Sequence, residues 1–415
     1  MKLVKLSLVA ALAAGSFSAL SAKPLEEAIK NVEVSGALRY RFDSVTWQGK
    51  ANKAGVKSPG TYYGISDNNN NHRFRAFTGI KLDAGDNFKI FGQIMYNNDK
   101  NGGYGSSNLT QTKNPLVLKQ AYLQYDVADA GLSLILGKQE LGTIWTADFV
   151  GTAAKVLFTP AEGLTVAGFV VDSFEGDEGD GDAFAAKELG ISHIYKNNMY
   201  GAAVLANVAG LNAQVWGAHW DRLATLYAVN LKYTLGFGGN DNAGVKLTYL
   251  GNNPTNYLKN VVAQDAVGAG NLVDGRPFVN VAGLDAKVGG IFYGKKDKIT
   301  INTLEDTSGP DLYIGREIFY AEDTALVQTN GQNTFGYVGV GYTLPADFRI
   351  GVQGVFGQNK VVDVKDTRWE GVIELGYKAN KNLSFETWYS YLNSKVENTD
   401  AGNKQTVRFQ ALYKF

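Results

Sequence analysis

Side chains suited to covalent chemistry are scarce in this chain. Histidine occurs only as His72, His193 and His219, in three unrelated segments, and cysteine is absent. A nucleophilic hydrolase needs a serine, a histidine and an acid close together at one depth. Neither a GxSxG elbow nor an HExxH pair occurs, so the chain is not expected to be an enzyme, and histidine–cysteine metal sites fail on the same scarcity. The charged residues are more informative. Arg39 and Arg41 lie in VEVSGALRYRFD, Arg73 and Arg75 in HRFRAFTGIKLD, and Arg408 in QTVRFQALYKF. A spacing of two puts both members of a pair on one face of a strand. Such a row repels itself unless an acidic face lies opposite across a narrow gap, or water solvates it at a rim. The run FEGDEGDGDAF, 174 to 184, carries Glu175, Asp177, Glu178, Asp180 and Asp182 and no base. Carboxylates among glycines suit a hard cation such as calcium, although this run lacks the closing bidentate glutamate of a calcium loop.

The elements that must carry these residues are strands. In QTVRFQALYKF, Val407, Phe409, Ala411, Tyr413 and Phe415 oppose Thr406, Arg408, Gln410 and Lys414, with Leu412 alone out of step. The same period-two pattern returns in NFKIFGQIMYN, LKQAYLQYDV, GLSLILGKQ, AAKVLFT, GLTVAGFVVDS, AKELGISHIY, NMYGAAVLAN and NAQVWGAHW. It continues through ATLYAVNLKYTL, AGVKLTYLG, GLDAKVGGIFYG, KITINT, NTFGYVGVGYTL, DFRIGVQGVFG, WEGVIELGYKA and NLSFETWYSYL. High glycine (49), tyrosine (22) and phenylalanine (21) beside only 8 prolines agree with many strands joined by turns.

The first residues, MKLVKLSLVAALAAGSFSALSA, combine two early lysines with a short apolar run. This is the pattern of a secretory signal cleaved after Ala22 or Ser21, which divides the chain into a signal, 1–22, and one domain, 23–415. An exported chain without cysteine must fold by pairing and burial alone. Its formal charge of +0 gives no global field for nucleic acid. No later apolar run is long enough for a membrane helix, so a membrane location would require a closed β-barrel.

The connections sort into two kinds. DAGDN, KNN, GKKDK, LPAD and KANKN read as tight turns, while 43–71 with its DNNNN, 99–116, 174–186, 251–281 and 304–332 read as long loops. Short periplasmic turns opposite long extracellular loops are the habit of a transmembrane barrel, whose strand number is even. The candidates number roughly nineteen, so one strand between 139 and 235 is in excess, AAKVLFT or a piece of 199–220, and about eighteen are expected. Tyr40, Phe42, Tyr377, Tyr413 and Phe415 are placed near strand ends, where aromatic girdles form. Polar inner faces at this strand number would line water, making a pore.

Ten stretches in order, among them MKLVKLSLVAALAAG, PLEEAIK, NDKNGGYG, IWT, YGAA, EIFY, FGYVGVGYT and TVRFQALYKF, make the chain resemble the major outer membrane porin of campylobacters and their relatives. The resemblance implies an 18-stranded antiparallel all-β barrel in the outer membrane, a homotrimer, and a general diffusion pore with cation preference. It implies that the last strand, with Tyr413 and Phe415, is read by the barrel assembly machinery and then closes the barrel. A third loop folded into the pore would be KQELGTIWTADFVG, whose Glu140 and Asp148 would face Arg39, Arg41, Arg73, Arg75 and Arg408. A calcium ion at the constriction would fall to Asp148, Asp182 and Glu305. Otherwise no cofactor is expected. The rival readings are a surface adhesin or structural barrel whose long loops bind host or envelope partners, and a soluble exported β-protein.

Overall fold

The computed structural model describes residues 32–49, 66–97, 116–175, 198–262, 266–305, 314–320, 324–327 and 329–415. The signal assignment, His193, Asp182 and the segment AKELGISHIY lie outside the described residues. Eighteen strands follow one another as β1 Val32–Gly49, β2 Ser66–Gly85, β3 Phe88–Asn97, β4 Val117–Val127, β5 Leu132–Glu140, β6 Val150–Ala161, β7 Leu164–Glu175, β8 Met199–Val208 and β9 Leu211–Trp220. They continue as β10 Ala224–Gly238, β11 Asp241–Pro254, β12 Asn271–Val281, β13 Leu284–Thr300, β14 Thr329–Leu344, β15 Phe348–Val361, β16 Val364–Lys378, β17 Leu383–Val396 and β18 Thr399–Lys414. Each pairs antiparallel with its neighbours in sequence, and β1 also pairs with β18. The sheet therefore closes on itself and leaves no edge strand, the condition for a sheet in a bilayer.

Alternation sorts the side chains as expected. On β14, Val338, Val340, Tyr342 and Leu344 are exposed and outward, while Asn333, Phe335 and Tyr337, earlier on the strand and of the other parity, are buried and inward. Tight turns close one end of the barrel. Ala209–Gly210 and Ala282–Gly283 both have positive φ at each position, which is the twist a two-residue hairpin demands. A Cβ at Gly283 would stand 2.8 Å from the Thr343 carbonyl oxygen, so glycine is needed there for space as well.

Several expectations change. AAKVLFT is strand β6, and 199–220 holds two full strands, β8 and β9, so neither is the excess. GLDAKVGGIFYG and the start of KITINT, to Thr300, are one strand, β13, because GKKDK is a bulge within its ladder rather than a turn. The strand hidden in 251–281 is β12, NLVDGRPFVNV. Its β13 ladder skips Arg276 and Pro277, as an imide nitrogen without a proton requires. DNNNN belongs to β2, where Asp67 to Asn71 pair with Trp47 to Asp43, so pairing overrides the poor strand propensity of asparagine. Tyr377 and Tyr413 sit at strand ends, whereas Tyr40 and Phe42 fall in the middle of β1.

Candidate functional site

The inner wall is not uniformly polar. From β7 to β14 it carries an apolar surface including Phe169, Trp216, Leu226, Leu250, Ile291 and Phe335. Among the described residues, two chain segments, beside Leu258 and Val267 of the β11–β12 connection, pack on that surface. The first is the connection between β5 and β6, residues 141–149. Its Trp145 is fully buried, with its ring centroid 6.1 Å from that of the inward Trp216, and Leu141 and Ile144 are buried beside it. Thr143 and Thr146 bond to each other through their hydroxyls at 3.0 Å and tighten the turn. The third loop thus lies within the barrel.

Glu305, just past β13, holds this loop in place. One oxygen of its carboxylate accepts the backbone N–H groups of Ala147 at 2.5 Å, Asp148 at 3.1 Å and Phe149 at 3.2 Å. The Leu304 N–H donates to the Trp145 carbonyl at 2.9 Å alongside. Burial pushes the Glu305 carboxyl up to about 9, and the hydrogen-bonded, like-charged Asp148 side chain pushes the same way.

The second inward segment was not anticipated. Residues 314–320 and 324–327 belong to the connection between β13 and β14, and they repeat the device with the roles exchanged. Here the wall supplies the acid. Glu370 on β16, 1% exposed, accepts the N–H groups of Arg316 at 2.8 Å, Glu317 at 3.0 Å and Ile318 at 3.0 Å, and the Ser390 hydroxyl at 2.7 Å. Gly315 makes the approach possible: its φ is +105, and a Cβ there would stand 2.7 Å from a Glu370 oxygen. Phe319 packs edge-on against Phe335 at 5.6 Å, Tyr293 donates to the Thr324 carbonyl at 2.6 Å, and Glu317 pairs with Lys404 on β18. The stretch EIFY is therefore an anchor on the inner wall.

Around this segment runs a chain of ion pairs. The Arg316 guanidinium reaches Glu374 and Glu386, both at 2.8 Å. Arg349 bridges Glu374 and Asp285, the latter at 2.7 Å. Trp388 lies between two cations, with Arg408 5.0 Å and Arg316 5.7 Å from its ring centroid.

The sequence-predicted arginines come together on the wall. Arg39 stands opposite Arg75 and Arg41 opposite Arg73 in the β1–β2 ladder. Among the described residues, the acid paired with Arg73 and Arg408 is Asp43, which the sequence reading did not single out. It is 1% exposed, pairs with Arg408, and lies 3.2 Å from the Arg73 Nε. Arg41 donates to Gln410 at 2.7 Å. Glu140, at the end of β5, accepts from Gln120 at 3.1 Å, with the Lys119 ammonium 3.8 Å away. Asp43 shared the inward parity of Arg39 and Arg41 and could have been found from alternation. His72 and His219 lie on the outward face, bonded to Tyr40 at 2.6 Å and Thr225 at 3.2 Å.

Of the three residues expected to hold calcium, Asp148 and Glu305 are neighbours and Asp182 lies outside the described residues. Two facing carboxylates, one with its proton affinity raised by the other, have the hard-oxygen chemistry a divalent cation takes. They are fewer than the six or so oxygens calcium gathers, and one Glu305 oxygen already accepts three N–H groups. Among the described residues, no group of three or more histidines, cysteines or acids is arranged to hold a metal.

A closed 18-strand wall, apolar outside, with charged side chains and two folded-in segments inside, is the architecture of an outer-membrane porin. The chain belongs to the Campylobacter major outer membrane protein family, whose model matches residues 1–415. It is a protein of the outer membrane, and its outward face meets lipid. Solved structures agree in fold. OccAB4 of Acinetobacter baumannii superposes with a TM-score of 0.62 at 13% identity, over 92% of this chain and 98% of that one. OpdL of Pseudomonas aeruginosa gives 0.65 at 11% identity, over 93% and 99%. OpdK of Pseudomonas aeruginosa, solved with vanillate, gives 0.66 at 11%, over 93% and 99%. No curated protein matches the sequence.

Proposed function

We propose that the chain forms a general diffusion pore, a homotrimer that passes ions and small hydrophilic solutes with a modest preference for cations. The family and the barrel point to a channel without enzymatic activity. The observation that carries the cation preference is the placement of Asp43. This buried acid draws Arg73 and Arg408 back onto the wall, while the half-exposed Asp148 rides on a loop inside the barrel. Charge nearest the axis governs the local ion concentration. A calcium ion held by Asp148 and Glu305, with Asp182, would cancel part of that acid charge, so the cation preference would be modest, and would tie the third loop to the segment after β13. Release of the loop by a chelator is the corresponding expectation. Insertion by the barrel assembly machinery belongs to the same reading.

The test is the reversal potential of reconstituted protein across a potassium chloride gradient. A potential of the sign that favours potassium supports the proposal, and it should shrink as salt screens the lining. A potential favouring chloride would overturn the cation preference, and no current in any salt would overturn the pore.

A further inference from the structure

Three neighbouring strands, β15, β16 and β17, carry the same succession of layers on the outward face. At the end closed by the turns 209–210 and 282–283, Phe348 stands opposite Tyr377, whose ring stacks on Phe385 at 6.4 Å. Further along, Phe356 and Trp369 are again directly opposite each other, and the Tyr391 ring lies 5.2 Å from that of Trp369. The outward residues between the two layers are apolar: Ile350, Val352 and Gly354 on β15, and Leu375, Ile373 and Gly371 on β16. From Phe348 to Phe356 is about 26 Å along a strand, or about 20 Å along the membrane normal at a tilt near 40°. The two aromatic layers are therefore girdles, and the second marks the headgroups of the outer leaflet.

Four residues beyond each ring of the second layer, about 10 Å higher, stands a lysine: Lys360 on β15, Lys365 on β16 and Lys395 on β17. All three are exposed, and they keep the outward parity, whereas Asn359, Asp366 and Arg368 beside them are buried. Lys360 and Lys365 face each other in the ladder, and Lys395 stands opposite the exposed Thr367. Like charges directly opposite are destabilising, and an anion between them removes the cost. The acids close by in the chain are Asp363, Glu397 and Asp400. Glu397 accepts the Lys365 backbone N–H at 2.6 Å and Asp400 the Gly402 N–H at 3.0 Å. Among the described residues none of the three lysines is ion-paired. The same end of β9 to β12 fills its outward positions differently, with His219 bonded to Thr225 at 3.2 Å and Tyr249 to Asn271 at 2.7 Å.

Below the rings the surface is hollow. Gly354 and Gly371 are directly opposite each other, and a Cβ on either would have no atom nearer than 3.7 Å. They leave a shallow trough in the lipid face, roofed by Phe356 and Trp369, which are 63% and 47% exposed. An acyl chain fits the trough while a phosphate above it meets the lysines.

We propose that the outward face of β15 to β17 is a binding site for the phosphorylated glycolipid of the outer leaflet. Lys360 and Lys365 hold one of its phosphates with Lys395 at the flank, and an acyl chain lies along Gly354 and Gly371. The site requires the outer-membrane location and is independent of the pore.

Thermophoresis of the folded protein in detergent with bisphosphorylated lipid A, and with the same lipid stripped of its phosphates, tests this. The phosphorylated lipid should bind saturably and at least about tenfold tighter, with the difference shrinking as salt rises. The variant Lys360→Gln, Lys365→Gln, Lys395→Gln should lose that difference. Its lysines are exposed at the rim, and retained heat-modifiable mobility on a gel would show that it folds. Should the triple variant not fold, Lys365→Gln alone should still weaken the phosphorylated lipid selectively. Equal affinity for the two lipids in the parent, or an undiminished difference in the folded variant, would overturn the site. Displacement of the lipid by an equal concentration of inorganic phosphate would overturn its assignment to a lipid. A single Lys365→Cys that forms disulfides between copies would assign this face to subunit contact instead.

Discussion

The Gly36 N–H donates to the Phe415 carbonyl oxygen at 3.0 Å, and the Phe415 N–H donates back to the Gly36 carbonyl at 3.0 Å. This reciprocal pair sits at the seam where β18 meets β1. The Phe415 ring lies over Gly36, where a Cβ would stand 2.6 Å from a ring carbon and would also meet the Phe77 carbonyl oxygen. Replacing Gly36 by valine should therefore strain the seam by about 1–3 kcal/mol, the usual cost of overpacking. The yield of heat-modifiable barrel on refolding should fall, and that of Phe415→Ala should fall less. Equal yields for Gly36→Val and the parent chain would show that the ring does not seat there during closure.

The third loop depends on Trp145. Trp145→Ala removes a fully buried ring from the contact with Trp216 and should weaken loop docking by about 3–5 kcal/mol. Trp145 lies outside the strand ladders that close the barrel, so thermal unfolding of the barrel should move little. Limited proteolysis should cut within 141–149 in the variant and leave the parent loop intact. A parent loop cut at the same rate would mean that it is not held inside.

Docking of that loop should also depend on pH. The Glu305 carboxyl, raised from 4.5 to about 9 in the folded protein, binds a proton that the released, solvated carboxyl gives up. The docked state therefore takes up more protons, and docking weakens as pH rises from about 4.5 towards about 9. The chain has no cysteine, so a single Thr143→Cys reports cleanly on exposure. In chelator, its labelling should accelerate with pH more steeply with Glu305 than with Glu305→Gln, which cannot ionise. Parallel profiles would contradict the assignment.

The arginine row should act on selectivity. Charge reversal of Arg73 and Arg75 leaves acids facing Asp43 on the wall and should raise the cation-to-anion permeability ratio. Lining charges are screened over about 10 Å at 0.1 M salt, so the effect should be largest below that. A ratio unchanged at low salt would place these residues away from the path of the ions.

Much of this fold is legible in the alternation alone. Val407 to Phe415 and Val34 to Phe42 announce two outward faces, and the parity of Arg39, Arg41, Arg73, Arg75 and Arg408 places them inward before any ladder is known. What escapes is whatever alternation does not mark. β12 is masked by Gly275 and Pro277, and the asparagine run of β2 pairs only because β1 extends to Gly49. The pins on the folded-in segments are harder still. Glu370 and Glu305 act on backbone N–H groups that every residue carries, and those groups lie 52 to 54 and 156 to 158 positions away in the chain. The acid shows in the sequence; its partners leave no side-chain signature. The resemblance to a porin family supplied the third loop, but not the segment carrying EIFY.

Those two carboxylates carry the central claim, that the lumen is narrowed by segments seated on acids. Glu370→Ala alone leaves three buried N–H groups without their acceptor, at about 1–3 kcal/mol each. The direct measurement is single-channel conductance in planar bilayers for the parent chain and for Glu305→Ala, Glu370→Ala. The parent should give discrete, stable steps, and the double variant should give larger and noisier ones as both segments leave the wall. Steps of equal size and noise in the two proteins would contradict the claim.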